Sequence, residues 1–63
     1  MRANLINARK EKGLTQKQVA NLLEISERAY QHLESGDRNG KFVYWDLLED
    51  LFNIHQRILR KID

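Results

Sequence analysis

Four long polar side chains, Glu27, Arg28, Gln31 and His32, fall inside one six-residue stretch. On a helix turning about 100° per residue they cover an arc of about 140°, and Ala29, Tyr30 and Leu33 fill the opposite side. The outward set can donate and accept hydrogen bonds with planar partners. In the major groove of a DNA duplex, arginine binds guanine in bidentate fashion and glutamine binds adenine. Glutamate can accept from cytosine N4, although it repels nearby phosphates. Such a helix therefore suits base reading. A plain amphipathic surface helix presents the same wheel, because any exposed helix has a polar face.

The chain that must position this helix reads as helical throughout. It has no proline, and its three glycines act as punctuation. The first helix is expected from about Arg2 to Lys12, with Leu5 and Ala8 facing inward and Gly13 as the stop. Basic residues in its last turn suit the helix dipole. Thr15 and Gln18 have the spacing of a capping box, which satisfies two otherwise orphan amides. The second helix then runs to about Leu23, with Val19 and Leu23 on its apolar face. Ser26 is the next N-cap, and Glu27 sits at the positive end of the dipole. That third helix ends near Ser35, before Gly36. A fourth should span about Phe42 to Phe52 and bury Phe42, Trp45, Leu48 and Phe52. A fifth, about His55 to Lys61, offers Ile58, Leu59 and Ile62.

Composition narrows the function classes. With 63 residues this is one small domain, which buries only about 60% of the surface its unfolded chain exposes. The absence of cysteine excludes a disulfide framework and a thiolate metal site. No apolar run approaches a membrane span, and the N-terminus lacks a signal peptide's apolar core, so a cytoplasmic protein is expected. Net charge is +2 and the isoelectric point near 9.2. The charge is unevenly placed. Residues 1–41 carry eight basic and five acidic side chains, whereas residues 42–56 carry only acids: Asp46, Glu49 and Asp50. That acidic segment is expected to face away from any polyanion, although an ordinary solvated face would look alike. No nucleophile and base at recognisable spacing, phosphate loop or metal-ligand cluster argues for an enzyme, and no cofactor is implied.

The stretch "TQKQVANLLEISERAYQHLESG" resembles the helix-turn-helix of the phage repressor and Cro (XRE) family. Val19, Ala20, Leu23, Ile25, Tyr30 and Leu33 occupy the motif's apolar positions, and Ala20 matches the small residue where its helices touch. "LINARKEKGLTQ" and "GDRNGKFVYWDLLEDLFNI" extend the likeness over about Leu5 to Ile54. Two positions depart from it. Glu24 sits where the motif usually turns on a glycine, so a strain of about 1–3 kcal/mol or a remodelled turn is expected. Gly40 replaces a common proline, which predicts a looser loop before the fourth helix.

The resemblance implies an all-α, compact five-helix bundle, with residues 1–63 a single DNA-binding domain and its motif at about 15–35. It implies double-stranded DNA as partner and a role as transcriptional regulator, most simply a repressor. Gln16 and Lys17 would meet phosphate. Ser26, Glu27, Arg28, Gln31 and His32 would face base edges or flanking phosphates, and Arg38 and Lys41 the backbone or a minor groove. Arg9 and Glu34 match a structural ion pair between the first and third helices. Ser26 serves equally as a mere cap, and Tyr30 and Trp45 read as core. A homodimer on DNA is expected, with Ile54, Ile58, Leu59 and Ile62 as its candidate interface unless all four pack within one chain. The alternative function is that of an antitoxin, which binds a toxin protein and its own operator.

Overall fold

The computed structural model describes residues 1–63. It contains five helices and no strand: α1 (Ala3–Glu11), α2 (Gln16–Leu23), α3 (Glu27–Ser35), α4 (Phe42–Phe52) and α5 (Gln56–Leu59). The helix-turn-helix pair α2 and α3 packs together, α1 lies against α3 and α5, and α5 closes on α4. None of these helices is long and apolar enough to cross a membrane.

Local chemistry sets the boundaries. The Thr15 hydroxyl accepts from the Gln18 amide, and the Gln18 side chain accepts from the Thr15 amide, completing the capping box. Ser26 caps α3 by accepting from the Ala29 amide at 3.0 Å. Between them the chain turns on Glu24, which adopts the left-handed conformation at φ 59° and ψ 40°. The Ile25 amide reaches back to the Ala20 carbonyl and the Glu24 amide to that of Asn21. This is a Schellman closure, made here with a glutamate where glycine costs least. The turn is thus kept rather than remodelled, and the backbone carries the strain.

The core joins Leu5 and Ala8 of α1, Val19, Ala20 and Leu23 of α2, Tyr30 and Leu33 of α3, and Trp45, Leu48 and Phe52 of α4. Leu59 of α5 completes it at 0% exposure. Two expectations need correction. Leu59 is a monomer core residue and unavailable to a second chain, because the single turn of α5 aims it at the bundle. Ile54 also packs partly against the core. Phe42 is 75% exposed, since the first turn of α4 projects past the core; only the Arg60 guanidinium stands over its ring, at 5.8 Å.

The loop before α4 is also tighter than its glycine implied. Gly40 has φ +69°, and a Cβ there would lie 2.7 Å from Leu33 Cδ2 and 3.0 Å from Tyr44 Cδ2. Proline, fixed near φ −65°, could not adopt this backbone. Gly40 permits a close approach rather than freedom.

Candidate nucleic-acid interface

Helix α3 places Glu27, Arg28 and Gln31 on its exposed side and leaves His32 half-buried at the edge. The side chains of Glu27 and Arg28 make no hydrogen bond or ion pair within the chain, so their polar groups stay open to a partner. Ser26 spends its acceptor on the helix cap, but its hydroxyl proton remains free to donate. Lys17 is exposed on α2.

Two different surfaces flank this face. On one side is a cleft of about 450 Å³, lined by Arg28 and His32 from α3, Arg38 and Lys41 from the following loop, and Ser26 and Tyr44. Its lining contains three permanent cations and no carboxylate. His32 Nδ1 stands 3.5 Å from Asp37 Oδ2. Asp46, Glu49 and Asp50 lie elsewhere. Asp46 and Glu49 accept from the Gln56 side-chain amide at 2.8 and 3.0 Å, which ties the start of α5 to α4. The acidic segment thus gives the cleft Tyr44 but none of its three carboxylates.

This cleft is held from behind by Arg2, which is 1% exposed. Its guanidinium donates to the Leu33 carbonyl at 2.7 Å, the Arg38 carbonyl at 2.9 Å, Asn39 Oδ1 at 2.8 Å and the Arg60 carbonyl at 2.9 Å. It lies over the Trp45 ring at 5.0 Å, and the indole N–H donates to the Asn39 carbonyl at 2.6 Å. Burial, and secondarily the charge of Arg60, lowers the Arg2 pKa from its ordinary value. An arginine nevertheless stays charged. Arg2 was not among the residues singled out in the sequence, where it reads as a basic residue near the chain start. Its acceptors are mostly backbone carbonyls, which leave no mark on residue types.

On the other side of α3, Arg9 of α1 meets Glu34 with Nε to Oε2 at 2.6 Å, and its Nη1 donates to the Leu14 carbonyl at 3.0 Å. The hydrogen bond to Glu34 raises the Arg9 pKa, against a smaller opposing effect of burial. Gln16 Nε2 donates to Glu34 Oε1 at 2.9 Å, and Gln31 Nε2 donates to Gln16 Oε1 at 3.2 Å. The two glutamines thus form the outer end of a chain that starts at a buried carboxylate. The Tyr30 hydroxyl is buried without a hydrogen-bond partner. Its pKa is pushed far above 10, first by burial and then by Glu34.

A capped helix pair turning on a left-handed residue, with the second helix presenting a polar face beside a basic cleft, is the geometry of a DNA-reading motif. The family profile described as helix-turn-helix, of Cro/C1 type, matches residues 5–55. The chain belongs to the phage repressor/Cro (XRE) family. That family is one of DNA-binding regulators. No curated protein and no solved structure matches the chain. The matched region of this XRE chain takes in all of α2, α3 and α4, and with them every residue of the two flanks except Arg2 and Arg60.

Proposed function

We propose that this XRE protein is a sequence-specific transcriptional repressor that reads the major groove with α3 and acts in the cytoplasm by occupying an operator. The observation that carries the reading is the cation-lined cleft of Arg28, Arg38 and Lys41 directly beside the exposed face of Glu27, Arg28 and Gln31. Phosphate contacts supply affinity and register, and base-edge contacts supply sequence preference. Gln16 keeps one N–H beyond its bond to Glu34, and Lys17 is free, so both can serve a phosphate at the N-terminus of α2. Glu27 disfavours a phosphate at its own position and favours a cytosine amino group.

A domain of this size reads few base pairs, so specific affinity calls for two copies on half-sites about one helical turn apart. With Leu59 in the core, the surface proposed for pairing reduces to Ile58 and Ile62, at 47% and 52% exposure, with the edge of Ile54. The test is selection from a randomised duplex library at moderate salt, followed by sequencing of the retained fraction. An enriched inverted repeat is expected. A single short site would remove the dimer. An unenriched pool would remove the sequence-specific reading and favour the protein-binding role of an antitoxin.

A further inference from the structure

The side chains of Gln16 and Gln31 are symmetric in shape but not in chemistry. One end of each amide only accepts hydrogen bonds and the other only donates. Which end faces outward is normally free to change. Here it is dictated from inside the protein. The Glu34 carboxylate, 3% exposed and bound to Arg9, offers only acceptors. Gln16 must therefore turn its Nε2 toward Glu34, at 2.9 Å. That turns Gln16 Oε1 toward Gln31, which must answer with its own Nε2, at 3.2 Å. Each step follows from the one before, and the first is fixed by a buried ion pair.

We propose that the Arg9–Glu34 pair, acting through Gln16, is a specificity-determining device that makes Gln31 select adenine over guanine. The inference rests on the reading of α3 as a major-groove helix. An unconstrained glutamine can offer both hydrogens of its Nε2 to the two acceptors of guanine, N7 and O6. It can equally offer one hydrogen and its oxygen to adenine N7 and the N6 amino group. In this protein one of the two Nε2 hydrogens is already committed to Gln16. What remains is one donor and one acceptor, the complement of adenine. Against guanine, Gln31 Oε1 would face O6, acceptor to acceptor. Arg9 and Glu34 are positioning residues in this scheme, and Gln31 makes the base contact.

The test is the duplex selection run on the wild type and on Gln31→Ala, Gln16→Ala and Glu34→Gln, each first checked for a helical spectrum and cooperative melting. Gln31→Ala identifies the base pair that Gln31 reads, as the position whose preference flattens. At that position the wild type is expected to favour adenine over guanine by about tenfold, as for one good bidentate contact. Gln16→Ala leaves the ion pair intact but cuts the link, and Glu34→Gln lets the Gln16 amide face either way. Both are expected to bring adenine and guanine close to parity there, with the rest of the operator unchanged. A merely structural role would lower retention of all sequences alike and leave that ratio untouched. If Gln16→Ala, folded, keeps the wild-type ratio, the inference is overturned while the DNA reading stands. If the wild type enriches no sequence, the DNA reading itself falls and the inference with it.

Discussion

Two arginines stand behind α3, one on each flank, and the protein satisfies them in opposite ways. Arg9 meets a carboxylate, so its charge is cancelled where it sits. Arg2 meets three backbone carbonyls and one amide oxygen, all neutral, so its charge is not cancelled. The consequence differs on the two sides. The Arg9 flank ends at the surface in two neutral glutamines with a defined donor and acceptor order. The Arg2 flank ends in a loop whose own cations, Arg38 and Lys41, line an open cleft. A neutral, directional edge suits bases, and a positive edge suits phosphates. The same residue type packed behind both sides of one helix thus gives that helix two unlike borders.

The largest expected effect tests the Arg2 side. Arg2→Ala strands the Leu33, Arg38 and Arg60 carbonyls and opens a void beside Trp45. The expected loss is about 4 kcal/mol, from unsatisfied carbonyls and lost packing together. Arg2→Met restores most of the volume and none of the bonds, so it should recover only the smaller part. Thermal unfolding followed by circular dichroism measures both. If Arg2→Met melts like the wild type, packing alone accounts for Arg2 and the contrast between the two arginines loses its basis.

The Arg9 side should break somewhat less severely. Glu34→Ala leaves a mostly buried guanidinium without its counter-ion, at a cost of about 3 kcal/mol. Replacing both residues, as in Arg9→Met with Glu34→Leu, should cost clearly less than Glu34→Ala alone, because no charge is then left stranded. Urea unfolding of the single and double variants decides it. Additive losses would show that the pair is not coupled.

On DNA the two borders should separate by salt. Arg28→Ala is expected to cost about 1–3 kcal/mol and to relax preference at one base pair. Lys41→Ala should weaken every duplex and reduce the salt slope of binding by about one. Gln31→Ala should leave that slope unchanged, because it removes no charge. Fluorescence anisotropy across a salt series reads all three. Equal slopes for Lys41→Ala and the wild type would take Lys41 out of the phosphate contacts.

How much of this was readable in the sequence depends on where each partner lies. The caps at Thr15 and Ser26 were legible because both partners lie within three residues. The core stripe of α4 was legible by period, except Phe42, whose end-of-helix position carries no periodic signal. The outward face of α3 followed from the wheel, and Arg9 with Glu34 from the family's spacing. Arg2 was not legible. Its bonds reach 31 to 58 residues along the chain, to carbonyls that every residue type possesses. Gly40 was misread for a related reason: its neighbours Leu33 and Tyr44 are set by the fold, not by the loop's own residues. The polarity of Gln16 and Gln31 was likewise hidden, since it depends on a contact between three helices.

The smallest effect sharpens the Arg9 side from within. The Tyr30 hydroxyl is buried beside Glu34 and Arg9 without a well-formed hydrogen bond to either, so Tyr30→Phe should change stability by less than about 1 kcal/mol near neutral pH. Its pH dependence is the sharper observable. Burial first, then Glu34, raises the Tyr30 pKa above its ordinary value of 10.0, so the folded state holds the phenolic proton more tightly than the unfolded state does. The stability this contributes is fully present below pH 10.0 and is lost as pH rises above it. The loss approaches about 1.4 kcal/mol per pH unit at most, for one proton. Phenylalanine has no proton to lose, so the variant should gain on the wild type steadily as the buffer is taken above pH 10. Melting curves for the two proteins at matched alkaline pH measure that divergence. Parallel curves would mean that water reaches the hydroxyl, and that the interior end of the Arg9–Glu34–Gln16–Gln31 chain is less dry than its geometry implies.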